Sequence, residues 1–343
     1  MLCQPNMVEV SWKSAAALSA AFATGSVATL LWGKLNKEKM KPEKWIRVGT
    51  VGELMVYPVK SCQGTSVNEC TATEIGFKVT NFFRDRIFTV VNTKGETRRM
   101  TDLPKLALIS PTIKDDTLTL STPDKDPITI SIPKDTPEAR RTCSIFGEHV
   151  KCVLDCGSEV NKWLSEFLES DVFLYYHHDV TTQRHALTDS QKQFSTFSKL
   201  DKGTFQDETS YMFLTEESVE ELNKRLDTPV TFLSFRPNIV IKGVSEPFAE
   251  DFWNFVRIGD ESGPIFKASQ PCLRCKLTNI DPSTGTTNPR GDPLRTLHKM
   301  KRKLGNEELD RICRTSAAFG LHLGLYKNSQ PVKNGDPVYA AAL

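Results

Sequence analysis

The sequence predicts a mixed, mainly β protein with flanking helices, arranged as about two domains behind an N-terminal membrane anchor. Three observations predict it. Short runs rich in Val, Ile, Thr, Phe and Tyr recur from residue 46 onward, separated by Gly, Pro, Asn and Asp turns. Helical periodicity is confined to a few short stretches. At 343 residues, 39% hydrophobic and 25% charged, the chain is long enough for about two well-filled globular cores.

The anchor is read from residues 14–33 (SAAALSAAFATGSVATLLWG), which carry no charge. As a helix at about 1.5 Å per residue they would reach roughly 30 Å, just enough to span a bilayer. Trp32 stands where an interfacial aromatic belongs, and Lys34, Lys37, Lys39, Lys41 and Lys44 follow at once. The positive-inside tendency would keep that side, and the body of the protein, in the cytosol. A signal peptide or a mitochondrial targeting segment competes for the same stretch. Residues 1–45 are thus expected to be signal anchor and charged linker.

The net charge of +2 gives no electrostatic reason to expect nucleic acid as a partner. Nine cysteines, an odd number scattered over a long chain, argue against a secreted disulfide framework and for a reducing compartment. No Gly-x-Gly-x-x-Gly fingerprint for a bound dinucleotide is present.

From residue 46 the elements follow in order. An apolar run over 48–59 stops at Tyr57-Pro58-Val59-Lys60-Ser61-Cys62. Residues 87–92 and 97–101 flank Thr93-Lys94-Gly95-Glu96, a hairpin signature, and two further pairs, 117–120 with 128–132 and 142–146 with 149–155, read the same way. This is a small β-barrel or sandwich. Ser158 is expected to cap a helix whose apolar face is Val160, Trp163, Leu164, Phe167 and Leu168, and 172–176 is another strand. Residues 180–203, poor in large apolar side chains, are expected to be a connecting loop, which sets domains at 46–180 and 181–343.

The second domain opens with Thr209-Ser210 and a strand over 211–214; Thr215 then caps a helix. Residues 230–243 (VTFLSFRPNIVIKG) read as an apolar strand interrupted by Arg236, Pro237 and Asn238. An unpaired buried charge is very costly. Arg236 is therefore either snorkelling to the surface or clamping an anion. A basic helix opens at Asp292-Pro293 and is expected to end near Gly305, and closing strands are expected over 317–326 and 336–340.

Between them lies Cys272-Leu273-Arg274-Cys275, ahead of an alternating run, 276–280, that reads as a strand, and a turn over 281–285. An arginine between two sulfurs favours the thiolate and can also grip an anion. A lone Cys-x-x-Cys is weak evidence. Ordinary core thiols, a redox dithiol and half of a zinc site all stand open, and no second such pair supplies the rest of a four-ligand zinc site.

Taken together, Tyr57-Pro58-Val59-Lys60-Ser61, Arg84-Asp85-Arg86, Phe235-Arg236-Pro237-Asn238 and Cys272-Leu273-Arg274-Cys275 follow one another as in MOSC-domain proteins. With the apolar N-terminus, the chain resembles the mitochondrial amidoxime-reducing branch of that family over about residues 46–343. The resemblance implies a MOSC N-terminal β-barrel domain followed by the MOSC domain proper. It implies a molybdenum cofactor, Mo-molybdopterin, with Cys275 as the catalytic metal-ligating thiolate. Lys60, Ser61, Arg86, Thr209, Ser210 and Arg236 fall on family positions around the pterin and its phosphate, with Asn238 and His322 as further cofactor contacts. The chain departs from the family pattern at His322 (Tyr in the family), Leu273 (Ser) and Glu208 (Asp).

The implied activity is reduction of small N-hydroxylated substrates: amidoximes, hydroxylamines and N-hydroxylated bases. Electrons would come from NADH through NADH-cytochrome b5 reductase and cytochrome b5. The implied location is the mitochondrial outer membrane facing the cytosol, with endoplasmic reticulum or peroxisomal membrane as alternatives. Two other functions stand beside this one: a MOSC carrier of persulfide sulfur or molybdenum cofactor without reductase activity, and a zinc-stabilised, membrane-anchored binding domain.

Overall fold

The computed structural model describes residues 42, 44–179, 193–197 and 201–341. β1 (Ile46–Val56), β2 (Thr65–Ser66), β3 (Glu69–Thr73), β4 (Gly76–Lys78) and β5 (Phe88–Asn92) come first. β6 (Ser110–Lys114), β7 (Thr117–Thr122), β8 (Lys125–Ser131), β9 (Arg140–Ile145) and β10 (Glu148–Asp155) follow, then helix α1 (Ser158–Leu168) and β11 (Val172–His177). β12 (Tyr211–Thr215), helix α2 (Glu216–Asn223), β13 (Ile239–Lys242), β14 (Phe255–Ile258) and β15 (Ile265–Leu273) lead to the short helices α3 (Leu294–Lys299) and α4 (Glu307–Ile312). β16 (Ala318–Lys327), β17 (Pro331–Lys333) and β18 (Pro337–Ala341) close the chain.

Seven strands form a closed barrel in the order β13-β12-β16-β15-β14-β18-β1, with β1 hydrogen-bonded back to β13. Closure leaves no sheet edge to be protected. Only the β12–β13 pair is parallel. β1 can bridge the seam because two register shifts bend it, so that its first half pairs with β18 and its second with β13. Gly49 is required there: a Cβ at that position would lie 2.5 Å from the Lys242 carbonyl oxygen.

Period-2 alternation explains why β12 is buried along its whole length. Tyr211 and Phe213 point into the barrel, where each packs against Phe266 with centroids 4.9 and 5.0 Å apart. Met212 and Leu214 point the other way, to a second cluster with Leu222 of α2, Phe235, Leu297 and Phe319. Thr215 caps α2 as expected, its hydroxyl accepting from Ser218 N.

Residues 88–177 build a second core. The sheet β5-β11-β10-β9 and the sheet β6-β7-β8 enclose Phe88, Val90, Leu118, Leu120, Leu154 and Leu174. Val160, Trp163, Leu164 and Leu168 of α1 fill the same core, the face expected from their spacing. Residues of β1, β3 and β4 precede this region in sequence but pack in the barrel core, where β3 pairs with β17.

Several local expectations are corrected. Residues 276–280 are not a strand: Lys276–Asn279 is a 3-10 turn, and the strand, β15, lies before the cysteines. Thr278 draws the chain into that turn, because its N–H and its hydroxyl both donate to the Cys275 carbonyl. The first half of 230–243 is also a 3-10 turn, Phe232–Phe235, ended by Arg236 in the left-handed region. Ser158 is the first helical residue and Gly157 the cap; Asp155 supplies the carboxylate, accepting from Gly157 N and Asn161 Nδ2. Residues 97–101 make only a bridge, Val91 to Thr97. The basic helix stops at Lys299 instead of running to Gly305. α4 was not expected, although Asn306 with Glu307 and Glu308 in the first turn is a readable start signal, and the Asn306 side chain accepts from Leu309 N.

The expected anchor, residues 14–33, and most of the expected connecting loop lie outside the described residues. Among the described residues no helix is long and apolar enough to cross a membrane.

Candidate functional site

Tyr57 is fully buried at the end of β1, its ring held between two cations. The Arg236 guanidinium lies 4.3 Å from the ring centroid and that of Arg86 lies 4.7 Å from it. Burial pushes the Tyr57 phenol up to about 12, against the pull of both arginines, so it stays neutral.

Asp85 organises this cluster. One carboxylate oxygen accepts from Tyr57 N (3.0 Å) and Asn238 Nδ2 (3.0 Å). The other accepts from Arg86 Nη1 at 2.6 Å and Gln206 Nε2 at 3.4 Å. Burial works against the Arg86 charge, but Asp85 and Tyr57 hold its pKa above the ordinary range. Arg236 has no carboxylate of its own in these contacts. Burial, reinforced by Arg86, lowers its pKa, and its Nη2 is a buried donor without a hydrogen-bond partner. A guanidinium N–H in that condition is costly unless an anion completes it.

Ser61, Arg86 and Arg236 have φ of 68°, 49° and 56°, the left-handed region that non-glycine residues avoid. Each such residue costs about 1–3 kcal/mol unless its surroundings enforce it, and such strain gathers at functional sites. Three residues expected at the site from three separate motifs share it here. Lys60 is held alongside: Nζ donates to the Phe205 carbonyl at 2.8 Å and pairs with Asp207. Thr204 donates to the Arg86 carbonyl at 2.8 Å, so residues 201–208 lace across the motif loops.

The cysteine motif is stapled to this cluster by Arg274. Its Nη1 donates to the Phe235 carbonyl (2.9 Å), next to Arg236, and its Nε to the Phe319 carbonyl (2.7 Å). Gly320, at φ 79°, leaves the room: a Cβ there would lie 2.8 Å from the Phe213 carbonyl and 3.3 Å from Arg274 Nη2. The two cysteines part company. Cys272 faces the core beside Phe235, Leu297 and Phe319, and burial pushes its thiol up to about 11. Cys275 begins the 3-10 turn and is exposed. Burial first, then Arg274, pushes His322 down to about 3, so its imidazole is neutral; Nδ1 lies 3.3 Å from the Thr209 hydroxyl.

Not every expected residue offers a free group. Ser210 is fully buried, and its hydroxyl is bonded to the carbonyls of Glu74 and Lys202. Asn238 has its amide engaged by Asp85, Met55 and Met212, so it positions the cluster. Leu273 packs with Phe194, Phe197 and Leu304. Asp85 and Gln206 were missed as organisers. The only sequence signal was an acid between two arginines, which reads equally as a surface turn. A cavity of about 580 Å³ opens beside the cluster, lined by Tyr57, Gln63, Arg236, Thr278 and Asn279 among others. Among the described residues no group of three or more His, Cys, Asp or Glu is placed to hold a metal by itself.

The geometry therefore offers a strained, cationic pocket that favours an anion, with the exposed Cys275 at the start of the 3-10 turn whose Thr278 and Asn279 line the cavity. Comparison with known proteins matches the same two regions. Residues 48–171 match the MOSC N-terminal beta barrel domain and residues 201–339 the MOSC domain. The chain is 34% identical over 336 residues to mitochondrial amidoxime-reducing component 1 of Mus musculus, covering 98% of this chain and 94% of the relative. For the Homo sapiens protein of that name the identity is 34%, covering 96% and 93%. Mitochondrial amidoxime reducing component 2 of Homo sapiens is 31% identical, covering 96% and 93%.

Proposed function

Because the chain belongs to the MOSC-domain family of amidoxime-reducing components, we propose that it is a molybdenum-cofactor oxidoreductase that reduces N-hydroxylated compounds. The observation that carries the cofactor assignment is the buried, unpartnered Nη2 of Arg236 beside Arg86 and Tyr57. That donor fits a pterin phosphate, because a fork-shaped guanidinium matches phosphate oxygens.

In this reading Arg236, Arg86 and Lys60 hold the anionic end of the cofactor, and Ser61, Thr209 and His322 supply further polar contacts. Asn238 and Asp85 set the two arginines. Cys275 is the single protein ligand to the metal; a soft thiolate suits a metal that changes oxidation state. Cys272, buried with its proton retained, takes no part. When bound, the cofactor supplies the redox chemistry for removing the N–OH oxygen; overall, two electrons and two protons give N–H and water. The chain keeps a neutral imidazole at His322 and a fixed cation at Arg274 beside the cysteine motif, with Asp207 close enough to act on His322. The division at 46–180 and 181–343, the electron chain through cytochrome b5 and its NADH-dependent reductase, and the outer mitochondrial membrane are parts of the same proposal.

The test is metal content of the full chain made in a host that synthesises molybdenum cofactor, followed by turnover of benzamidoxime with a small chemical reductant. Near-stoichiometric molybdenum and turnover support the reading. Molybdenum without turnover would favour the carrier function, and zinc with no molybdenum would favour the binding domain.

A further inference from the structure

Helix α3 and the residues after it, 294–303 (LRTLHKMKRK), hold five Lys or Arg and no carboxylate, in a chain whose net charge is only +2. Their fates differ. Arg302 turns inward, to Asp251 at 3.0 Å and the Ala318 carbonyl at 2.9 Å. Arg295 is paired with Asp292 at 2.5 Å. Lys299, Lys301 and Lys303 are exposed, and no ion pair involves them among the described residues, nor does one involve the exposed Lys276.

This basic ridge stands on the cysteine turn itself. Leu294 N donates to Asn279 Oδ1 at 3.0 Å, in the 3-10 turn that Cys275 begins, and Leu297 packs in the cluster that holds Cys272. Asp292 secures the first turn, accepting from the Thr296 hydroxyl at 2.8 Å. Two cavities border the ridge and share Lys299. One is lined by Lys276, Leu294, His298 and Lys299, the other by Arg225, Thr296, Lys299 and Lys301. The cations are thus presented on a footing fixed relative to an exposed thiol.

Resting on the function proposed above, we infer that the ridge formed by Lys276, His298, Lys299, Lys301 and Lys303 is the docking surface for an acidic one-electron carrier protein. Charge complementarity commits it to that occupant: clustered, unpaired cations steer an acidic partner and raise its encounter rate. Electron-transfer contacts are small and transient, so a ridge of this extent is sufficient. The electrons balance when two reduced carriers dock in turn, each leaving oxidised by one electron, and two protons from solvent complete N–OH to N–H and water.

The experiment uses the full chain, the soluble haem domain of cytochrome b5 as the acidic carrier, and the double reversal Lys299→Glu, Lys301→Glu. Lys114→Glu, an exposed reversal on β6, is the control. Expected for the double variant are a fall of about tenfold or more in the low-salt rate of cytochrome reoxidation and a flatter dependence on ionic strength. Molybdenum content and turnover with reduced methyl viologen should match the parent. Carbodiimide cross-links to the cytochrome, which form whether or not the cofactor is loaded, should map to the ridge and be lost in the double variant. A parent-like rate and salt slope, or an equal loss in the Lys114 control, would overturn the docking surface. If the parent turns over with viologen but accepts no electrons from the cytochrome, the docking inference fails and the reductase reading stands. No viologen turnover in molybdenum-loaded parent would bring down the reductase reading itself, and the docking inference with it.

Discussion

The Arg236 guanidinium lies over the face of the Tyr57 ring, 4.3 Å from its centroid, although the two residues are 179 positions apart. β1 ends just before Tyr57 and its antiparallel partner β13 begins just after Arg236, so barrel closure is what brings them together. The contact makes the Tyr57 ring, not its hydroxyl, the working part of the side chain.

Tyr57→Phe is accordingly expected to change stability by no more than about 1 kcal/mol, since the buried hydroxyl has no hydrogen-bond partner to lose. Tyr57→Leu removes the aromatic face from both arginines and should lower molybdenum occupancy. Arg236→Ala should lower it further with the fold retained. Metal analysis and thermal unfolding of the three variants check this; full occupancy in Arg236→Ala would refute its role as anion clamp.

Asp85 accepts from four donors, so Asp85→Asn leaves the Arg86 charge uncompensated and turns one acceptor into a donor. Breaking a buried pair this way costs about 3–5 kcal/mol. Chemical denaturation should show that loss, and a cost under about 1 kcal/mol would mean that water reaches the cluster.

The two cysteines should separate cleanly. Cys275→Ser is expected to abolish N-reduction and leave the unfolding midpoint near the parent value, because the residue is exposed. Cys272→Ser places a hydroxyl in an apolar cluster and should cost about 1–3 kcal/mol while activity persists. Equal loss of activity in both would defeat the single-ligand assignment.

Asp251 makes stability depend on pH. Burial first, then Glu250, raises its pKa from 3.8 to about 7, with Arg302 opposing. Between those values the folded chain keeps a proton that the unfolded chain has lost. Its contribution to stability is therefore complete below the lower value and disappears as pH rises to the upper one. In Asp251→Asn that decline, on the order of 1 kcal/mol per pH unit, should be reduced. Urea unfolding at about pH 5 and about pH 7.5 checks this; parallel pH curves for parent and variant would count against the assignment.

Much of this protein could be read from its residues, because the signals concerned are local. Hairpin turns, the α1 periodicity and the Thr215 cap act over a few positions, and each appears where its chemistry puts it. The four motifs carried the family assignment because side-chain identity and order survive without coordinates. Tertiary contacts decided the rest. Only barrel closure sends the earliest strand to pair with β13 and β18, and only that pairing brings residues 57–61 to Arg236. Which cysteine is buried depends on β15 ending at Leu273, and on Thr278 drawing the next residues into a 3-10 turn where alternation alone suggests a strand. Asp85 illustrates the same limit. In sequence it is an acid between two arginines, and its role as organiser exists only because donors from positions 57, 206 and 238 meet it in one buried place.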